Sequence, residues 1–338
     1  MKSRPLILGC AAALVGLLLG WSAAVPAAAD TVEFTITDSR ITESSGLATD
    51  SANQRYWTVN DSGDSGIAYA LGADGEVTGT LEYRANPVDV EAVAFHDGRL
   101  YVADIGDNSE RREFVTVYFF DDAEPAAQPV IYKAYDFSYP DGAHDAETLL
   151  VDGDGRLFIV TKGDDGGIYA APENPQRQGV NELERVGAAP GLVTDGTVLD
   201  DGRFALRTYT SVEVVDPSSY EVVARSNIPL QKQGESVTTT FDGEALLLGS
   251  EGKRSEVLRV DIPTGVEASP TPTPTPTKTE SAEPTEKASA SPTPAAEEDV
   301  PEESDSSGTS RAGTLAAVGL AAVVAVVAGG VVILVRRP

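Results

Sequence analysis

From residue 31 to residue 261 the chain alternates short apolar runs with polar turns. The runs are too short for helices, and no 3.6-residue periodicity links them. AVAF, TLLV and SVTT lead into Asp-Gly or Gly-Asp turns, and LYVAD, LFIVT and ALLLG lead out. Apolar or β-branched runs joined by such dipeptides are the strongest local signal for β-hairpins. A third run follows each hairpin (GIAYAL, FVTVYFF, GIYAAP, SVEVVD, EVLRVD), and a more polar fourth follows most (VTGTLEY, VIYKAYDF, ELERVG, EVVARSN).

The unit repeats. Copies begin at TESSGLATDSANQRYWTVNDSGD, DVEAVAFHDGRLYVADIGDN, HDAETLLVDGDGRLFIVTKGDD, TDGTVLDDGRFALRTYT and GESVTTTFDGEALLLGSEG. Anchored on Glu43, Glu91, Glu147, Asp195 and Glu235, they are spaced by 48, 56, 48 and 40 residues. A β-rich period of this size predicts a β-propeller of four-stranded antiparallel blades, an all-β fold. The fifth copy has only three strands, and TVEFTIT at 31–37 is an orphan, so this strand is expected to complete the last blade. Five blades are favoured; six stays open because 121–140 has room for extra strands. A β-sandwich would also use such hairpins, but it has no need to restart each time with an acid.

The ends read differently. Residues 1–29 pair Lys2 and Arg4 with an apolar run and a small-residue site, as a signal peptide does. The single cysteine, Cys10, lies in that run, and LILGC fits a lipidation motif poorly. Residues 30–263 form the expected propeller domain, and 264–311 form a Pro/Thr/Ser/Glu-rich disordered stalk without aromatics. Residues 312–335 are uncharged and precede Arg336 and Arg337. They are expected to make one transmembrane helix with a cytoplasmic tail at 336–338, leaving the propeller extracellular at the cell surface as a monomer.

Net charge is −28, and outside the basic residues Lys2, Arg4, Arg336 and Arg337 it is −32. Such a surface excludes nucleic acid and suits cations or basic partners.

Acids cluster where the inner strand of each blade begins, so Glu43, Asp89, Glu91, Asp145, Glu147, Asp195 and Glu235 are expected to converge at one mouth of the central channel. His144, Lys162 and Arg207 are placed beside them as further ligand-binding candidates. A second layer, Asn60, Asp61, Asp64, Asp104, Asp107 and Asn108, offers oxygen-only ligands suited to calcium. Three readings fit these acids: structural locks, a cation site or catalytic carboxylates. DGDG at 152–155 is read as a hairpin turn, since no bidentate Glu follows at calcium-loop spacing. No serine elbow, Walker loop or zinc motif is present, so metal-assisted hydrolysis is the one enzyme class the residues permit.

ESSGLA, YWTVNDSGD, DVEAVAF…GRLYVADIGDN, HDAETLLV…GRLFIVTK and GES…LLLGSEG together resemble actinobacterial membrane-anchored β-propeller proteins, themselves loosely similar to phytase-like and esterase-like propellers. The resemblance spans roughly residues 40–260. The phytase likeness implies calcium and phosphate esters, yet few basic residues stand where a phosphate would need them. The expected function is therefore a cell-surface binding or scaffold module for a cation, small-molecule or protein ligand. The alternative is a metal-dependent extracellular hydrolase of phosphate or carboxylic esters.

Overall fold

The computed structural model describes residues 31–61 and 66–266. The leader, most of the stalk, the membrane segment and Asp64 lie outside the described residues. No helix among the described residues is long and apolar enough to cross a membrane.

Strand β1 (Thr31–Ile36) stands apart from the sequence order that follows. Blade one is β2 (Ser44–Asp50), β3 (Arg55–Asn60), β4 (Ile67–Leu71) and β5 (Val77–Glu82), paired antiparallel in that order. Blade two is β6 (Val90–His96), β7 (Arg99–Asp104), β8 (Val115–Phe120) and β9 (Lys133–Ser138). Blade three is β10 (Ala146–Val151), β11 (Leu157–Thr161) and β12 (Gly167–Ala170), then β14 (Glu184–Ala188) after the short β13 (Val180–Glu182). Blade four is β15 (Val193–Val198), β16 (Phe204–Thr208), β17 (Ser211–Asp216) and β18 (Glu221–Asn227). Blade five is β19 (Gly234–Thr239), β20 (Ala245–Ser250) and β21 (Ser255–Asp261), and β1 pairs antiparallel with β21 as its outermost strand. The orphan N-terminal strand closes the ring.

The inner strands form that ring: β2 lies against β6, β6 against β10, β10 against β15, β15 against β19, and β19 against β2. Between successive blades lie five apolar clusters, one per seam. Burial in these seams replaces the disulfides that the described chain lacks. Trp57 and Leu100 fill the seam of blades one and two, and Tyr56 stacks on Phe241 at 4.2 Å where blade five meets blade one.

The turns follow from their residues. Asp97 and Gly98 both take positive φ (47° and 76°), the pair of left-handed residues a two-residue hairpin requires. Asp152 Oδ1 accepts from the amides of Asp154 and Arg156, which makes DGDG a turn, as read from the sequence.

Among the described residues there is no sixth blade. Residues 123–130 run along the edge of blade one, where Ala126 N donates to Thr80 O and Val130 N to Glu82 O. β13 pairs parallel with β9 on the edge of blade two, and the Gly265 carbonyl accepts from Arg225 N on blade four. Covered edges cannot template pairing with another chain.

Candidate functional site

Each inner strand carries a β-bulge at its first turn of register. The unpaired residue is Gly46 in blade one, Glu91 in blade two, Glu147 in blade three, Thr194 in blade four and Glu235 in blade five. A bulge re-aims one side chain and bends the strand. Three of the five bulges thus hold a glutamate, all at the same height in the ring.

This alignment corrects the sequence-based anchors at two blades. Glu43 lies three residues before the bulge of its strand and is exposed on the rim, and Asp195 lies one residue past its bulge. Asp195 is fully buried inside the channel, where its Oδ2 accepts from Val237 N at 2.8 Å and the amides of Gly196 and Leu47 face it. Burial pushes its carboxyl well above the usual range, against those amides and Arg207. It ties blade four to blades five and one, and is a lock rather than a mouth ligand.

The acids of blades one and two meet most closely. One oxygen from each of Asp61, Asp89 and Glu91 lies within 4.8 Å of the others. Gly106 makes room for them, because a Cβ there would stand 2.6 Å from both Asp89 Oδ2 and Glu91 Oε1. Burial, then the charge of Asp61 and a hydrogen bond with it, raises Asp89 to about 7. Burial and the charges of Glu147 and Asp61 hold Glu91 well above its ordinary value. Ser45 Oγ donates to Glu91 O at 2.8 Å, joining the two blades at this point.

A second group occupies blades three to five. Lys162 Nζ donates to Glu147 Oε1 at 2.7 Å. Burial raises Glu147 to about 7 even though Lys162 opposes the shift. Burial would lower Lys162, but Glu147 overrides it and the amine's pKa rises. Glu235 is raised to about 8 by burial and by Glu147, and Glu251 to about 7 by burial and by Asp61. Asp145 adds its charge to the first group while its Oδ1 accepts from Asp107 N.

Several predicted site residues are spent elsewhere. Asn60 Oδ1 accepts from the amides of Thr42 and Glu43, and its Nδ2 donates to Arg40 O. Asp104 accepts from the amides of Val88 and Asp89 and from Arg112 Nη1. Asp107 Oδ2 accepts from the amides of Arg111 and Arg112. These three therefore shape the loops behind the triad and are corrected from ligands to supports. Asn108 is exposed beside them. Arg207 is fully buried, not at the mouth: Nη1 donates to the carbonyls of Ser236 and Gly249 and Nη2 to Gln231 Oε1, and burial lowers it to about 10. Gly234 permits this, since a Cβ there would collide with Arg207 Nη2. His144 turns away from the acid pair beside it; its Nε2 lies 2.9 Å from Asp141 Oδ1 and 3.1 Å from the Tyr169 hydroxyl.

Sequence reasoning missed Gly106 and Arg112. The Ile-Gly-Asp-Asn stretch after β7 was the available signal, because a glycine abutting two acids marks a close approach. Arg112 Nη1 also donates to Gly106 O at 2.9 Å, fixing that glycine against the triad.

No family model and no curated protein matches the sequence. Solved structures similar to the chain include a gluconolactonase from Xanthomonas campestris (17% identity, 67% of this chain and 88% of that one, TM-score 0.40). A streptogramin B lyase is similar at 11% identity over 69% of this chain and 98% of that one, TM-score 0.43. A PQQ-bound aldose sugar dehydrogenase from Streptomyces coelicolor is similar at 12% identity over 69% and 97%, TM-score 0.40. Likenesses this distant carry no argument about activity, and the propeller rests on the strand pairing itself.

Proposed function

We propose that the chain displays a five-bladed propeller outside the cell, and that its acidic mouth binds a divalent cation of the calcium class through Asp61, Asp89 and Glu91. The carrying observation is that the three carboxylates converge within 4.8 Å around a glycine that leaves them space. Glu91 is buried and Asp61 and Asp89 half-buried, and carboxylates so close repel one another unless a proton or a cation sits among them. The donors are all hard oxygens, which favours calcium or magnesium over zinc. Arg112, the basic group behind this side of the mouth, is bound to Asp104. The signal-like leader and the apolar segment at 312–335 support display at a membrane surface.

The test is calorimetric titration of the chelator-treated full chain with calcium chloride at pH 7.5. One saturable site is expected, lost in both Asp89→Asn and Glu91→Gln. No heat from the wild type, or undiminished binding in both variants, overturns the reading.

A metal-assisted hydrolase is a second reading, favoured by Asp89 and Glu147, which lie at about 7 and would exchange protons near neutrality. Carboxylic esters suit the mouth better than phosphate esters, because the acids repel a phosphate and Lys162 is engaged by Glu147. Turnover of generic esters that disappears in both Glu91→Gln and Glu147→Gln would establish it; no turnover removes it.

A further inference from the structure

The cation reading uses blades one and two and leaves the other side of the mouth unexplained. There Glu235 is 91% buried, from its 9% exposure, yet among the described residues its carboxyl makes no hydrogen bond and no ion pair. It faces Glu147, Lys162 and Glu251 across the mouth. Glu147 and Lys162 neutralise each other, and Glu251 accepts only from the neutral amide of Gln233. Glu235 is therefore buried without a bond of its own, the charges of Lys162 and Arg207 reaching it only from beyond ion-pair distance, and such an acid is costly.

At the same end of the channel the connecting loops hold out apolar side chains. Leu192, at the start of blade four, is 48% exposed, Leu230, on the loop into blade five, is 81% exposed, and Tyr209, at the end of β16, is 37% exposed. All three sit at the channel end where inner strands begin and second strands finish, and Lys162 Nζ lies over the Tyr209 ring, 5.7 Å from its centre. Leu192 also holds a left-handed backbone, φ 57°, which glycine would adopt without strain. A strained, exposed leucine does nothing for the seams, so the folded ring alone does not account for it.

A buried carboxylate with no bond of its own and exposed apolar side chains at the same end of the channel match one kind of occupant. We propose that the blade-three-to-five side of the mouth docks a lysine or arginine side chain presented on an apolar-flanked segment of another protein. The basic head gives Glu235 the direct charge-assisted bond it lacks, beside Glu251, while the flanking residues cover Leu192, Tyr209 and Leu230. The inference rests on the mouth being a binding surface but does not need a metal in the triad.

The test uses the full chain and heptapeptides with degenerate apolar flanks around a fixed central Lys, Arg, norleucine or Glu, read by fluorescence anisotropy. Binding is expected for Lys and Arg centres only, weakening with salt. Glu235→Gln should weaken it about tenfold, as expected for a lost charge-assisted contact. Glu251→Gln and the double variant Leu192→Ser/Leu230→Ser should each weaken it severalfold. Binding is expected equally in chelator and in calcium, which separates failure here from failure of the cation site. Should Glu235→Gln not fold, as judged by circular dichroism, Glu251→Gln alone carries the charge test. Equal binding of norleucine peptides, no binding of any peptide, or butylammonium binding as tightly as the Lys peptides overturns the proposal; the last result would assign the site to small organic cations.

Discussion

Gly106 stands against Glu91 with no room for a side chain: a Cβ would come 2.6 Å from Glu91 Oε1. The glycine sits on a loop whose shape Asp107 and Arg112 hold through backbone contacts, so the acids cannot be displaced by a loop shift alone. Gly106→Ala is therefore expected to splay Asp89 from Glu91 and lower calcium affinity about tenfold, the scale of effects seen when groups supporting a metal site are altered. Calcium titration of folded Gly106→Ala checks this, and wild-type affinity would remove the glycine from the account.

The mouth acids also set a pH dependence. In the folded chain Asp89, Glu147 and Glu251 lie at about 7 and Glu235 at about 8, above the 3.8 of an ordinary Asp and the 4.5 of an ordinary Glu. The folded state thus holds more protons than the unfolded one across this window, so stability falls as pH rises from about 5 to 8. Without cation, Tm is expected to be higher at pH 5.5 than at pH 8, and calcium should narrow the gap by replacing the protons. Thermal melts at the two pH values, with calcium or chelator, decide it. A chelated Tm that is flat or rises with pH would contradict the assigned protonation.

Lys162 and Glu147 form an ion pair in the mouth, with side chains 24% and 6% exposed. Lys162→Met leaves Glu147 buried without its cation and is expected to destabilise the fold by about 2 kcal/mol, reduced from a fully buried pair because the amine reaches solvent. The loss should be smaller at pH 5.5, where Glu147 is protonated, and Lys162→Met/Glu147→Gln should recover most of it. Urea unfolding of the two single variants and the double variant measures the coupling; strictly additive losses would mean that the pair contributes nothing.

Ring closure makes a separate demand. Ile36 is buried at the seam where β1 seals blade five against blade one. Ile36→Ala should cost about 3 kcal/mol, as for other large-to-small core changes. Urea unfolding reads this directly, and a loss below about 1 kcal/mol would mean that β1 is dispensable.

Much of this was legible before the structure. Asp97-Gly98 and its counterparts mark hairpins because few residues tolerate the left-handed turn, and the leftover strand at 31–37 foretold the closing pair with β21. In blades two, three and five the anchor glutamates Glu91, Glu147 and Glu235 occupy the bulges. Glu43 and Asp195 were misplaced because the bulges of their strands hold Gly46 and Thr194, and the acids nearest to them lie three residues before and one residue after. Arg207 and His144 were misjudged because position at a strand end does not reveal where a long or flat side chain finds its partners. Asp104 and Asp107 look like ligands by type, but nearby amides take up their oxygens.

The most direct test of the central claim is a crystal of the chain soaked with terbium, whose anomalous scattering locates a calcium-like ion. The account predicts one strong peak bounded by Asp61, Asp89 and Glu91, absent in Glu91→Gln. A peak elsewhere in the mouth, or none at all while the three carboxylates keep their positions, would contradict it.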